Sequence, residues 1–167
     1  MDMREKTCCF TGHRDIPARV LPLLSAELEQ AVLGLISEGV RYFGMGGALG
    51  FDTLAAETVL RLRDQYSQIR MILVLPCRDQ TRGWKSKDIA CYEAIMARAD
   101  KVVYTAETYS PGCMHRRNRH LVDNSSVCVA YCTRNAGGSA YTVDYAQRQG
   151  LRIILLHGKQ KSPPGIL

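Results

Sequence analysis

Apolar residues fall along this chain in short blocks, separated by stretches where they recur every three or four positions. Lys6-Thr7-Cys8-Cys9-Phe10-Thr11 predicts a first strand, broken by Gly12-His13-Arg14-Asp15. Pro17 suits the opening turn of a helix whose buried face is Leu21, Leu24, Leu28, Ala31 and Leu35, ending near Gly39. Val40 to Phe43 predicts a second strand and Ile69 to Leu75 a third, the latter stopped by Pro76. Between them, after the glycines of 44–50, Ala55, Val59 and Leu62 mark a second helix. A polar stretch with Trp84 leads into a helix over 86–99, then a strand over 100–104 and a short basic helix over 114–123. Ser126 to Cys132 reads as the fifth strand. Gly137-Gly138-Ser139 opens a helix that runs through Gln149, and Leu151 to Leu156 is the last strand. Residues 159–167 read as a loose tail.

Strands and helices therefore alternate, and the strands are apolar throughout rather than on every second residue. That pattern predicts a parallel sheet covered on both faces. The expected fold class is α/β: a Rossmann-like, doubly wound, mostly parallel sheet with helices on both faces. A chain of 167 residues suits one such domain, 1–167, with its core over about 7–156. No repeat, low-complexity segment or linker interrupts it.

Composition narrows the class. Hydrophobic residues make up 46% and charged residues 23%, the balance of a soluble globular protein. No apolar run nears the roughly 18 residues of a membrane span, and Met1-Asp2-Met3-Arg4-Glu5-Lys6 is no secretory signal. A cytoplasmic protein without a membrane partner is expected. The net charge of +6 points to an anionic ligand or partner. Seven cysteines form no CxxC pair, and Cys113 and His115 do not complete the roughly four ligands of a zinc site. Reduced, mostly buried thiols and no metal or cofactor are the expectation.

In a doubly wound sheet, ligands sit outside the carboxyl ends of the strands, where the strand order reverses. The unusual residues lie in the loops at those ends. Gly12-His13-Arg14 follows the first strand. Gly44-x-Gly46-Gly47-x-x-Gly50 joins a strand to a helix, where glycines allow either a packed turn or close approach to an anion at the helix N-terminus. No Lys-Ser/Thr pair makes this a Walker loop, and Leu49 breaks the dinucleotide spacing. Asp52 caps that helix or repels a phosphate set beside it. Gly137-Gly138-Ser139 occupies a second junction of the same kind, with Ser139 as a cap or a phosphate contact. The run His115-Arg116-Arg117-Asn118-Arg119-His120 offers arginine forks to phosphate oxygens.

In this order, the motifs resemble the SLOG superfamily of Smf/DprA and LOG proteins, and within it the YpsA-like branch. Thr11-Gly12-His13-Arg14 resembles that branch's TG-x-R opening, and Gly46 to Glu57 is similar to its glycine loop and helix. Arg117-Asn118-Arg119, a strand, then Gly138-Ser139 and Ala146 are similar to the DprA pattern. The resemblance implies a nucleotide or nucleotide-derived ligand at Gly12, His13, Arg14, Gly46, Gly47, Gly50, Asp52, Arg117, Asn118, Gly137, Gly138 and Ser139. The LOG enzymes imply a catalytic pair, Arg117 and Asp144, for base–ribose cleavage of a nucleoside monophosphate. Here Asn118 replaces the lysine of their MxxRK element. Ala136, Ala140, Tyr141 and Asp144 replace the proline, third glycine, threonine and glutamate of PGGxGTxxE. The leading expectation is a ligand-binding protein with a sensor role; a LOG-like phosphoribohydrolase and a DprA-like single-stranded DNA-binding module are the alternatives. A nucleotide-derived small molecule is the expected partner, with nucleic acid second to it and room for a homo-oligomer.

Overall fold

The computed structural model describes residues 2–159. A 3-10 turn at Met3–Lys6 precedes β1 (Thr7–Gly12), α1 (Leu21–Ser37), β2 (Tyr42–Met45), α2 (Phe51–Arg63) and β3 (Arg70–Leu75). There follow α3 (Ser86–Arg98), β4 (Lys101–Tyr104), α4 (Cys113–Asp123), β5 (Val127–Tyr131), α5 (Gly138–Arg148) and β6 (Arg152–Leu156). The six strands form one sheet in the order β4-β3-β2-β1-β5-β6, and every neighbouring pair is parallel. The alternation expected from the sequence is therefore present, as a Rossmann-like α/β fold. The tail beyond residue 159 lies outside the described residues.

Successive side chains of each strand enter opposite layers. Cys8 and Phe10 of β1 join Phe43, Met45, Met71, Leu73 and Leu75 in a layer closed by α1, α2 and α3. Leu24, Leu28 and Val32 of α1 and Val59 of α2 are fully buried there. Burial of such side chains contributes roughly 1.5–3 kcal/mol each. Cys9, Cys128 and Ala130 point the other way, into a smaller layer under α4 and α5 formed by Leu121, Val122 and Ala146.

Among the described residues two helices cover that second face, so the sheet is less covered toward β4, and Ile72 and Val103 are half-buried. The edge strands β4 and β6 are correspondingly more open than the central β5. The expectation of strands buried on both faces thus holds at the centre and weakens at the edges, where a neighbour is missing. A second difference is the start of α1. Residues 17–20 form a turn closed by Val20 N–H to the Pro17 carbonyl (2.9 Å), and the helix begins at Leu21, four residues beyond Pro17. All seven cysteines are unpaired, five of them buried. No helix among the described residues is long and apolar enough to cross a membrane.

Candidate functional site

Strands β1 to β4 step outward in one direction, and β5 then returns to the other side of β1, so the order reverses between β1 and β5. Gly12 and Tyr131 lie side by side at the carboxyl ends of these two strands, and their loops part from there. A cleft of about 290 Å³ opens at this point. Four segments line it: Thr11 to Asp15 after β1, Ala48 and Asp52 after β2, one side of α4, and the loop from Arg134 to Ser139 after β5.

His13 ties three of these segments together. Its N–H donates to the Tyr131 carbonyl (3.3 Å), its carbonyl accepts from Phe51 N–H (3.0 Å), and its Nε2 accepts from Thr133 N–H (2.8 Å). A ring nitrogen that accepts from a backbone amide carries no proton, so the imidazole is neutral with its hydrogen on Nδ1. Burial, followed by the charge of Arg134, holds the His13 pKa below its ordinary value. The ring also meets Tyr131 edge-on, with centroids 5.4 Å apart.

The glycine turn after β2 is built against two residues. Gly50 takes φ +76°, and a Cβ there would overlap the Arg14 backbone. Only glycine meets both demands at low cost. Gly46 faces the Arg117 guanidinium so closely that a Cβ would occupy the same space. Arg117, 3% exposed, donates to the Gly46 carbonyl and, through Nε, to Asn118 Oδ1 (2.6 Å). Burial lowers its pKa and the charge of Asp52 opposes the shift. Asp52, 7% exposed, accepts from Ala48 N–H through Oδ2 (3.2 Å). Burial raises its pKa, against the pull of Arg117.

At the opposite wall, α5 begins at Gly138 without any side-chain cap. A helix N-terminus leaves amide donors unpaired and carries partial positive charge, so this one presents both to the cleft. Ser139 sits in the first turn of the helix rather than at the cap position, and it lines the cleft. Arg14 and Arg134 are exposed at the rim, and neither has a carboxylate within ion-pair range among the described residues.

Of the residues expected at the site, Gly12, His13, Arg14, Asp52, Arg117, Asn118, Gly137, Gly138 and Ser139 line this cleft. Gly46 and Gly50 shape the turn behind it. Gly47 points elsewhere: a Cβ would meet Leu75 and Tyr92. Asp144 lies outside the cleft lining, 65% exposed and paired with Arg148 (3.0 Å) one turn along α5. The sequence does not single out Arg134, and it offers His115 only beside Cys113 and within the basic run. Arg134 is the one cation of the loop 133–139, which a strand-end argument alone could have marked. His115 meets the Tyr141 ring at a tilt of 56° (centroids 4.4 Å apart), and its Nδ1 is buried without a partner among the described residues. Among the described residues, no group of three or more His, Cys, Asp or Glu side chains could hold a metal ion.

Known proteins bear on this geometry. A UPF0398 protein of Bacillus pumilus is 29% identical over 137 residues, 80% of this chain and 73% of that protein. One from Halalkalibacterium halodurans is 29% identical over 134 residues, 78% of this chain and 71% of that protein. Among solved structures, DNA processing protein A of Helicobacter pylori, described for its single-stranded DNA binding mode, superposes with a TM-score of 0.68. It is 20% identical and covers 93% of this chain, which spans 66% of it. The Streptococcus pneumoniae protein DprA gives 0.69 at 16% identity over 94% of this chain, which spans 52% of it. These two likenesses are of fold. The YpsA family model matches residues 10–155, nearly the whole described chain, and the protein belongs to the family it describes, the YspA SLOG family.

Proposed function

We propose that the cleft between β1 and β5 binds the phosphate-bearing part of a nucleotide-derived ligand, and that the protein acts as a binding protein or sensor. One observation carries the reading: the uncapped N-terminus of α5 and Arg14 and Arg134, which have no acidic partner among the described residues, border a single cleft at the reversal of strand order. Helix amides and arginine forks are suited to phosphate oxygens. Asp52 does not oppose this, because its carboxylate is turned to the Ala48 amide and neighbours the buried Arg117 charge.

The phosphoribohydrolase reading needs a carboxylate within hydrogen-bond reach of the substrate. Asp144 is paired with Arg148 on the exposed side of α5, which favours binding without hydrolysis. The single-stranded DNA reading draws on the H. pylori neighbour and the exposed rim arginines. Calorimetric titration with the common ribo- and deoxyribonucleoside 5′-monophosphates tests the proposal, with the matching nucleosides and a single-stranded decamer as comparisons. Saturable one-to-one binding of a monophosphate, absent for its nucleoside, is expected. Binding of the decamer alone would replace the proposal with the nucleic-acid reading, and release of ribose 5-phosphate would replace it with the hydrolase.

A further inference from the structure

We infer that the ligand carries a second phosphate, joined through a phosphodiester as in a 5′-phosphorylated dinucleotide, and that Lys85 and Lys87 hold this second group in an adjoining cleft. The inference rests on the phosphate reading of the first cleft.

The wall formed by the β1–α1 loop has two sides. Beyond it lies a second, more open depression of about 810 Å³, to which Lys85 and Lys87 contribute from the start of α3. His13, Arg14, Asp15 and Arg134 line both clefts. Arg14 and Arg134 therefore stand where one anionic chain could pass from one cleft into the next. The second depression holds four cations, Arg14, Lys85, Lys87 and Arg134, against two carboxylates, Asp15 and Asp88. Neither carboxylate forms an ion pair with any of the four among the described residues. Elsewhere six arginines do find acidic partners, Arg61, Arg63, Arg78, Arg98, Arg148 and Arg152. The positive charge of this depression is thus left for an external anion.

The shared wall is also firmly placed. His13 is held by Tyr131, Thr133 and Phe51, and the Arg14 backbone packs against Gly50. A wall with its backbone already fixed lowers the ordering cost of binding to that of the arginine side chains themselves. A mononucleotide has one phosphate and would fill the first cleft only. The two phosphates of a nucleoside diphosphate share a bridging oxygen and sit together on one side of the wall. Successive phosphates of a dinucleotide are separated by a sugar, which allows one on each side.

The test compares the best-binding nucleoside 5′-monophosphate with its diphosphate and its 5′-phosphorylated dinucleotide, in wild type and in Lys85→Ala/Lys87→Ala. The dinucleotide is expected to bind about tenfold tighter than the monophosphate, the scale of one charge-assisted contact, with a gain that shrinks as salt rises. The double variant should lose that gain and keep the monophosphate affinity. Arg41→Ala/Lys101→Ala removes the same charge at the amino ends of β2 and β4, and should leave the gain intact. If the monophosphate binds and the dinucleotide binds no tighter, or the gain survives in the lysine variant, the second cleft is overturned while the first stands. An equal gain for the diphosphate, an equal loss in the control variant, or a decamer far tighter than the dinucleotide would also overturn it. If no phosphate ligand binds at all, both readings fall.

Discussion

The guanidinium of Arg117 fills the volume a side-chain carbon would need at Gly46 and donates to the carbonyl of that same glycine. Helix α4 is thereby keyed into the turn after β2 by one buried cation. Gly46→Ala should therefore be destabilising by about 1–3 kcal/mol, the usual cost of overpacking a closed site. Arg117→Ala should cost a similar amount, because the Gly46 carbonyl and Asp52 lose a buried partner and a compensating charge. Chemical denaturation of the two single variants and the double variant checks the relationship. The double variant should be more stable than the sum of the singles predicts, since removing Arg117 makes room for the new methyl. Additivity would show that the two residues do not compete for space.

Arg117→Lys should rescue little of that loss. An ammonium cannot donate to Asn118 and the Gly46 carbonyl in the planar arrangement of the guanidinium fork. Denaturation midpoints close to those of Arg117→Ala are expected, and a midpoint close to wild type would show that charge alone suffices.

His13 makes stability depend on pH. Its folded pKa lies below the ordinary 6.5, so the unfolded chain takes up a proton before the folded one does. Its contribution is complete above about pH 6.5 and is lost as pH falls through the lower folded value. Protonation would also place a proton on Nε2, where Thr133 N–H now donates. Melting temperatures measured from pH 7.5 down to pH 5 should fall more steeply for wild type than for His13→Gln. Parallel profiles would place the pH dependence elsewhere.

Much of this fold is legible in the sequence because each layer has its own periodicity. Leu24, Leu28 and Leu35 mark α1 unaided, although Leu21 of the expected face is exposed and Val32 rather than Ala31 is fully buried, and the apolar run 71–75 after Arg70 announces an interior strand. The strand-end rule likewise brings Gly12, Arg14, Gly138 and Ser139 to one place, because topology alone fixes it. Side-chain direction is not legible in this way. Gly47 has the same motif rank as Gly46, yet its missing Cβ faces Leu75 and Tyr92. Gly47→Val is accordingly expected to lower stability and to be a poor probe of binding, since its φ of +70° and those neighbours resist a branched side chain. Asp144 is a further case: the helical repeat places it beside Arg148 rather than toward the cleft. Arg134 has no periodicity or motif at all, and only the convergence of loops reveals it.

Because its pair with Arg148 is exposed on both sides, Asp144 should matter little. Asp144→Asn is expected to change stability by less than about 1 kcal/mol and to leave nucleotide affinity unchanged, as exposed ion pairs contribute little in water. Calorimetry and thermal melts check both. A large loss of affinity without a loss of stability would bring the carboxylate, and with it hydrolysis, back to the cleft.

Arg14 and Arg134 separate binding from stability most cleanly. Both are exposed, both lack an acidic partner among the described residues, and both border the two clefts. Neither side chain holds the fold, so Arg14→Ala and Arg134→Ala should change unfolding free energy by less than about 0.5 kcal/mol. A charge-assisted contact to phosphate is worth roughly 1.5–3 kcal/mol, so each should weaken nucleotide binding about ten- to a hundredfold. Lysine at either position should recover part of the affinity as a point charge without the fork. Loss of Arg134 should have one further effect that loss of Arg14 does not. Its charge is a named cause of the lowered His13 pKa, so Arg134→Ala should move that pKa up toward 6.5. Titration of the His13 ring by NMR in wild type and Arg134→Ala reads this directly. An unmoved ring pKa together with unchanged nucleotide affinity would remove Arg134 from the site.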